Sequence, residues 1–318
     1  MFNNELKERF LRESNQPESK QRVYRSIFES TSKFEEEWGA DLCTLSKDEA
    51  QTVVNNIAGI RNRSTIVITS MLRKYVTWCV ENNIPNATRS MFGINNCSVD
   101  RIKTQMVASP MHLQRYLDAL CEPEDSKTIS NVYRCYYWLA YAGVPARVAL
   151  QLRTSHIDLL HRIVKYNDSE YPIYEQAVPA FENCINLYAF VRNNPLYNSD
   201  TESWAERGAG DNLLRGSNPV TQLSTIQISL SRLSKKAIES GRTEIKLSYN
   251  RVMLSGIFFR EYERERAGFP VNFKSLAVDS LKEKNLKNGK DEITSRQIST
   301  LASNYRTDYR RWKEAFTV

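Results

Sequence analysis

The fold is decided by residues 132–159, VYRCYYWLAYAGVPARVALQLRTSHIDL. Apolar and aromatic side chains fill residues 133–141 so densely that we expect this helix to be core rather than a platform for stacking bases. A Gly-Val-Pro tripeptide at 143–145 then ends the helix, and a short helix follows up to Leu152. The stretch predicts a buried helix, a tight turn and a second helix in succession.

Helical periodicity dominates the remainder of the sequence. Apolar spacing predicts two helices broken near Pro17, a third opened by a capping box at Ser46 and Glu49, and a long fourth that stops at Pro85. The following residues carry polar clusters without sustained periodicity, so we place a linker at 87–109. Further helices are expected at 111–120, 128–142, 175–192, 221–240, 248–267 and 294–316.

One β-hairpin is expected in the second half of the chain. Runs of β-branched or aromatic residues at 159–166 and 171–174 flank the polar tetrapeptide NDSE at 167–170, which is a turn signal. We expect no other sheet. The chain has only 11 Gly and 10 Pro, which argues against disorder and against a turn-rich all-β fold. The predicted fold class is therefore mainly α, with a small β-hairpin or sheet.

Composition narrows the functional classes. The six cysteines are scattered without a CxxC pair, which is typical of buried thiols in a reducing compartment, and we expect no metal site. No stretch has the apolar length needed to span a bilayer, so we expect a cytoplasmic protein with no membrane partner. The net charge of +7 favours a polyanionic partner, although charge by itself does not separate nucleic-acid binders from other basic proteins.

The order of these elements resembles that of the tyrosine recombinase (phage integrase) family. Residues 18–86, which include SKQRVYRSIFESTSKFEEEWG and STIVITSMLRKYVTWCVENNIPN, resemble its SAM-like core-binding domain. Residues 132–159 resemble the family segment in which a helix is followed by Ala-Gly-Leu-Arg. The resemblance covers nearly the whole chain and implies a two-domain architecture. Its parts are an N-terminal SAM-like helical core-binding domain at 1–86, the linker at 87–109, and a degenerate catalytic-like domain at 110–318.

The first catalytic arginine of the family has no equivalent here. In that family a tyrosine attacks the scissile phosphate, while arginines, a lysine and histidines stabilise the added charge. The arginine after the Ala-Gly-apolar triplet falls on Pro145, which has neither charge nor donor to offer. The acid three residues later falls on Val148. Arg147 lies two positions on, which rotates its side chain roughly 200° around a helix.

The other catalytic positions are also depleted. The hairpin turn that should carry the lysine is acidic, and the adjacent Lys165 is expected to be an ordinary strand residue. The His-x-x-Arg motif falls on SYNR, which keeps Arg251, replaces the histidine with Ser248, and is followed by no histidine. Tyr305 and Tyr309 both lie near the place of the nucleophile, and helical spacing favours a buried position for Tyr305. Because losing one preorganised donor costs about a hundred- to a thousandfold in rate, we expect no catalysis and no cofactor.

Loss of chemistry does not remove the capacity to hold DNA, because phosphate contacts need only cations and amides. By resemblance, the last N-terminal helix lies against the major groove. The predicted DNA contacts are Arg61, Arg63, Ser64, Thr65, Thr69, Arg73 and Lys74 on or before this helix, and Arg232, Lys235, Lys236 and Arg251 in the second half. The residues on or before the last N-terminal helix have an equal alternative to DNA contact, which is that they form a solvated polar face opposite Ile66, Leu72 and Val76.

The same catalytic losses occur in the lytic-cycle master repressors of SPbeta-like temperate phages, which the sequence resembles. The resemblance implies a sequence-specific repressor that maintains lysogeny in a bacterial host cell by binding double-stranded operator DNA. A second copy of the chain, or a phage regulatory protein or peptide, is a further candidate partner. Two alternatives stay open. One is a divergent recombinase that uses Arg147, Lys165, Arg251 and Tyr309, and the other is a recombination accessory factor that acts through its amphipathic C-terminal helix.

Overall fold

The computed structural model describes residues 1–121, 129–192, 203–216, 221–288 and 292–317. In this part of the chain helices predominate and the sheets are small, which confirms the predicted mainly α fold class. The chain divides into two compact units. Unit 1 comprises Met1–Ile102 with Asn272–Val318, and unit 2 comprises Lys103–Val271.

Unit 1 begins with the four predicted helices, which are α1 (Asn4–Glu13), α2 (Glu18–Trp38), α3 (Lys47–Ile57) and α4 (Asn62–Glu81). Gly39 ends α2 in the left-handed conformation, with φ 61°, which glycine adopts without steric cost. Ser46 and Glu49 form the expected capping box at the start of α3. Phe28 and Phe10 both pack edge-on against Tyr75 of α4 in the core, with ring centroids 5.0 and 5.3 Å away.

The segment predicted as a linker contributes to this core. Met91 and Ile94 are buried against the helices of unit 1, and the short helix α5 (Val99–Lys103) follows. The sequence showed no periodicity here because the buried side chains come from turns rather than from a regular element.

The C-terminal helices also belong to unit 1. Helix α12 (Phe273–Asn288), which was not predicted, packs on α13 (Ser295–Phe316), and α13 packs on α4. The buried Arg311 of α13 donates to the carbonyl oxygens of Ile60 and Cys97 at 3.0 and 2.6 Å. The division therefore differs from the predicted limits of 1–86, 87–109 and 110–318, because these long-range contacts tie the end of the chain to its beginning.

Unit 2 is built around a buried helix. Its helices are α6 (Pro110–Leu120), α7 (Ser130–Ala142), α8 (Ala146–Ala149), α9 (Val178–Asn186), α10 (Leu223–Glu239) and α11 (Tyr249–Arg266). Nearly every side chain of α7 is buried, as its composition predicts, and Gly143 ends it with φ 99°. Helix α11 crosses α7 so closely that a Cβ at Gly256 would lie 1.9 Å from the carbonyl oxygen of Tyr141.

The described part of unit 2 carries two antiparallel sheets. The predicted hairpin forms from β2 (Ile163–Tyr166) and β3 (Ser169–Pro172), and β1 (Ile157–Asp158) adds a third strand in the order β1-β2-β3. The turn is shorter than predicted, since Ser169 already pairs with Tyr166. A second sheet, β4 (Ala189–Arg192) with β5 (Ser203–Glu206), replaces the end of the helix expected at 175–192.

Candidate nucleic-acid interface

Helix α4 buries one side against unit 1 and exposes the other. Thr65, Thr69, Leu72 and Val76 recur at helical spacing and are all buried. The two threonine hydroxyls donate to backbone carbonyls, Thr65 to Gly59 at 2.6 Å and Thr69 to Thr65 at 2.9 Å. The side chains of Thr65 and Thr69, which the sequence analysis assigns to DNA contact, are buried in this structure, and their hydroxyls are bonded to local backbone.

Three other predicted contacts of this group are partly or fully occupied by protein partners. The Ser64 hydroxyl donates to the carbonyl of Arg61 at 2.8 Å and closes the first turn of α4. The Arg61 guanidinium lies 3.0 Å from the Asp308 carboxylate and over the ring of Tyr305. Arg73 donates to the backbone carbonyl of Ile94 and to the side chain of Asn95. These residues position α4 on its own unit.

The remaining two cations are free to meet a ligand. Arg63 and Lys74 are exposed, and among the described residues no ion-pair partner is found for either. Between them lie Ile66 and Val67, which are 48% and 50% exposed, and the exposed Ser70. The sequence interpretation placed Ile66 on the buried side, which is wrong. Helical spacing from Leu72 could have corrected it, because Ile66 lies six positions earlier and is therefore about 120° around the helix from Leu72.

The α10 cations assigned to DNA contact lie on the exposed side of their helix. Ile226, Leu230, Ser234 and Ala237 form the buried stripe, so Arg232, Lys235 and Lys236 all reach solvent. Lys235 lies 3.6 Å from Glu239 one turn later, which leaves Arg232 and Lys236 as the stronger positive charges of this helix.

The start of α11 is held against the turn that follows α7. The Tyr249 hydroxyl donates to the carbonyl of Val144 at 2.7 Å, and the Tyr137 hydroxyl donates to that of Leu247 at 3.1 Å. These bonds fix the start of α11, which carries Arg251 as its third residue, against the turn that contains Pro145. The Arg251 guanidinium is partly buried and hydrogen-bonds the Gln105 side chain.

No residue of the turn itself, 143–145, is a cation, but Arg260 of α11 reaches its start and donates to the carbonyl of Tyr141 at 2.8 Å. Pro145 is the N-cap of α8, and Val148 on the next turn packs against the apolar core. Arg147 is exposed, in agreement with its offset of two positions from Pro145. Ser248 is the N-cap of α11, and its side chain makes no capping bond.

Lys165 lies on β2 and faces a neighbouring carboxylate. Its ammonium is 3.5 Å from Asp158, whose carboxylate also accepts from the backbone amide of His161 at 3.0 Å. That amide, together with the His161 ring and Lys165, lowers the pKa of Asp158. The positive charge of Lys165 is therefore balanced by a neighbouring carboxylate.

The two candidate tyrosines lie in unit 1, whereas Pro145, Lys165 and Arg251 lie in unit 2. Tyr305 is buried beneath Arg61. Tyr309 is also buried and stacks on Trp312, with ring centroids 6.1 Å apart. Both rings contribute to packing within unit 1.

The described residues contain no cluster of His, Cys, Asp and Glu that could hold a metal ion. All six cysteines are buried free thiols. Among the helices that the structure describes, none combines the length and the apolar character needed to cross a membrane.

Comparisons with known proteins concern the N-terminal part first. Residues 1–81 match the family model described as MrpR, N-terminal core-binding domain. Comparison with proteins of curated function gives no match.

Solved structures that match most of the chain are recombinases and integrases. The crystal structure of XerA recombinase is 15% identical over 99% of this chain and 97% of that chain, with a TM-score of 0.38. The integrase of mycobacterium phage Brujita is 14% identical over 97% and 91%, with a TM-score of 0.30. The Tn1549 transposon integrase, in complex with a circular intermediate DNA, is 10% identical over 93% and 97%, with a TM-score of 0.37.

Proposed function

We propose that this protein is a sequence-specific DNA-binding repressor that has kept a recombinase-like scaffold and lost its cleavage chemistry. The observation that carries the proposal is the surroundings of Arg251. Arg251 is the third residue of α11, and Tyr249 of the same turn bonds to Val144 beside Pro145. By resemblance, Pro145 stands in place of a second arginine and Ser248 in place of a histidine. One arginine bonded to Gln105 can hold a phosphate, but it cannot stabilise a phosphorane and protonate a leaving oxygen.

The cations that remain exposed support binding without cleavage. Arg63 and Lys74 on α4, and Arg232 and Lys236 on α10, extend into solvent from helices that are anchored by buried stripes. Cations on fixed helices suit phosphate contacts, which set the register of a protein on a duplex. The excess of 44 Lys and Arg over 37 Asp and Glu adds long-range attraction to DNA.

The biological role proposed here rests on the match of residues 1–81 to the MrpR core-binding domain. MrpR, which the sequence resembles, is the lytic-cycle master repressor of SPbeta-like temperate phages. By that resemblance, the protein keeps a temperate phage lysogenic by occupying operator elements in the phage genome. A scaffold without cleavage chemistry suits this role, since a bound repressor must leave its operator intact.

The proposal predicts retention of a few specific DNA fragments. Purified protein is incubated with labelled fragments of the genome that encodes it, and retardation is measured across a salt series. Affinity should fall steeply with salt, because each neutralised phosphate releases counterions. The Arg232→Ala/Lys236→Ala variant should bind more weakly, with the slope of log affinity against log salt reduced by about 2.

The matched control is Arg22→Ala. Arg22 is an exposed arginine of unit 1 that pairs with Glu18 one turn earlier, so its removal should leave both the affinity and the salt slope unchanged. Equal retention of every fragment by the unaltered protein would contradict sequence-specific repression. Equal weakening in the Arg22→Ala control and the α10 variant would contradict the assignment of the α10 cations.

A further inference from the structure

Two adjacent apolar side chains of α4 are exposed without a packing reason. Ile66 and Val67 leave about half of their surfaces in solvent, although the opposite side of the helix already supplies the buried stripe of Thr65, Thr69 and Leu72. Single exposed apolar residues are common on protein surfaces. Here two neighbours share one exposed face with Arg63 and Lys74, which indicates a surface that contacts a partner.

The charge of this face identifies the class of partner. Its exposed side chains in chain order are Arg63, Ile66, Val67, Ser70 and Lys74. The first carboxylate after Lys74 on α4 is that of Glu81, the last residue of the helix. A face with cations toward both ends and no carboxylate between them complements a polyanion better than a protein surface that carries both acidic and basic side chains.

The spacing of the face fits the major groove of DNA. Arg63 and Lys74 are 11 positions apart, which is about 16 Å along a helix axis. The groove is about 12 Å wide and admits an α-helix, so cations at the two ends can reach the phosphates of opposite strands. Ile66, Val67 and Ser70 then face the base edges. In this groove the only apolar group that distinguishes one base from the others is the methyl group of thymine.

We propose that Ile66 and Val67 read thymine methyl groups in the major groove, while Arg63 and Lys74 hold the flanking phosphates. This inference rests on the proposed DNA-binding function and assigns the selectivity for bases to Ile66 and Val67. Ile66 and Val67 are then the specificity-determining residues of α4, and the two cations contribute affinity that is independent of sequence.

The test uses DNA whose thymines lack the methyl group. The full-length protein first selects its preferred sites from a pool of randomised duplexes. The strongest enriched duplex is then synthesised twice, with thymine or with uracil, and the affinity of each is measured. Removal of each methyl group that the protein touches should weaken binding by the unaltered protein about fourfold. The Ile66→Ala/Val67→Ala variant should bind the thymine duplex more weakly and show a smaller difference between the two duplexes.

The control is Val23→Ala, which removes an apolar side chain of similar exposure, 47%, from α2 of the same unit. It should discriminate thymine from uracil as the unaltered protein does. The inference would be overturned if replacing thymine with uracil weakened binding by the same factor in the double variant and in the unaltered protein. The methyl groups would then act through DNA stiffness rather than through contact with Ile66 and Val67. A double variant with unchanged DNA selectivity and an altered sedimentation coefficient would overturn it too, by assigning the face to self-association. Failure to enrich any duplex would refute the proposed function itself.

Discussion

Lys7 and Glu35 form an ion pair that is closed to solvent in unit 1. The Lys7 ammonium lies 2.6 Å from the Glu35 carboxylate, and both side chains are 0% exposed. The Thr31 hydroxyl and the Leu42 amide also donate to this carboxylate, at 3.0 and 3.1 Å. Burial raises the pKa of Glu35, and the Lys7 charge opposes that rise. The pair therefore depends on both partners, because either charge alone would be buried without compensation.

Replacing only one member of this pair should destabilise unit 1. We expect Lys7→Met to lower the free energy of unfolding by about 3–5 kcal/mol, because Glu35 would keep its other hydrogen bonds but lose its counter-charge. Urea denaturation measures the change. The double variant Lys7→Met/Glu35→Leu is the control, and it should recover much of the stability because no unpaired charge remains. A single variant as stable as the unaltered protein would refute this interpretation of the pair.

His112 makes the stability of unit 2 depend on pH. Its Nδ1 accepts from the backbone amide of Ala108 at 3.2 Å, and burial, with a smaller contribution from Arg115, lowers its pKa from 6.5. The unfolded chain therefore binds a proton more readily than the folded one. Stability from this group is present above pH 6.5 and is lost as the pH falls through the lower pKa of the folded state.

The test of this dependence is His112→Asn, which keeps an acceptor for the Ala108 amide but does not titrate. The free energy of unfolding is measured at a series of pH values from 6.5 downward. We expect the variant to lose less stability than the unaltered protein over this window. Parallel profiles for the two proteins would show that His112 does not carry the dependence.

At the scale of elements, sequence patterns predicted the helices better than the faces they present. The capping box at Ser46 and the buried α7 agree with the structure, because both depend on local spacing. The buried face of α4 was assigned incorrectly because two of its members, Thr65 and Thr69, are polar and donate to nearby backbone carbonyls, those of Gly59 and Thr65. Such bonds make threonine compatible with burial, and composition does not reveal them.

Helix α12 and the sheet of β4 and β5 were missed for different reasons. Helix α12 has weak amphipathic character, although the side chain of Asn272 accepts from the amide of Ser275, which is a capping signal readable from the sequence. The sheet of β4 and β5 joins strands at 189–192 and 203–206, and such a non-local pairing leaves little trace in a window of sequence. Parts of the stretch at 193–218, where no regular element was predicted, lie outside the described residues.

The crossing of α7 and α11 depends on a single glycine. Gly256 has no room for a Cβ, which would meet the backbone carbonyl of Tyr141 at 1.9 Å. We expect Gly256→Ala to destabilise unit 2 by about 3 kcal/mol, because two backbones would have to separate. Urea denaturation compares it with Gly216→Ala, whose new Cβ would meet the Ile129 side chain at 3.8 Å and no other group among the described residues. If both variants lose the same stability, the close approach does not explain the requirement for glycine.

At the scale of the whole molecule, the distribution of charge was only partly predictable. The exposure of the α10 cations follows from local helical spacing, because Ile226, Leu230, Ser234 and Ala237 form the buried side of that helix. Arg61 and Arg73 could not be separated from Arg63 and Lys74 in this way. Their partners come from distant parts of the chain, Asp308 on α13 and Ile94 in the segment predicted as a linker.

The assignment of the C-terminal helices to unit 1 also changes how the candidate tyrosines are interpreted. Tyr305 and Tyr309 pack with Arg61, Trp312 and other side chains of their own unit, which gives them a structural reason to be aromatic. Sequence spacing located the helix but not its partners, because packing between the two ends of a chain depends on tertiary contacts.

Incubation with DNA of the encoding genome, followed by denaturation, tests the central claim most directly. The protein is bound at physiological salt to supercoiled DNA that carries its preferred site, protection of that site is mapped, and the protein is then denatured. We predict one or more protected sites and DNA that is recovered supercoiled, unbroken and free of protein. Nicked DNA, or a protein–DNA adduct that is abolished in Tyr309→Phe, would contradict the claim, and so would the absence of any protected site.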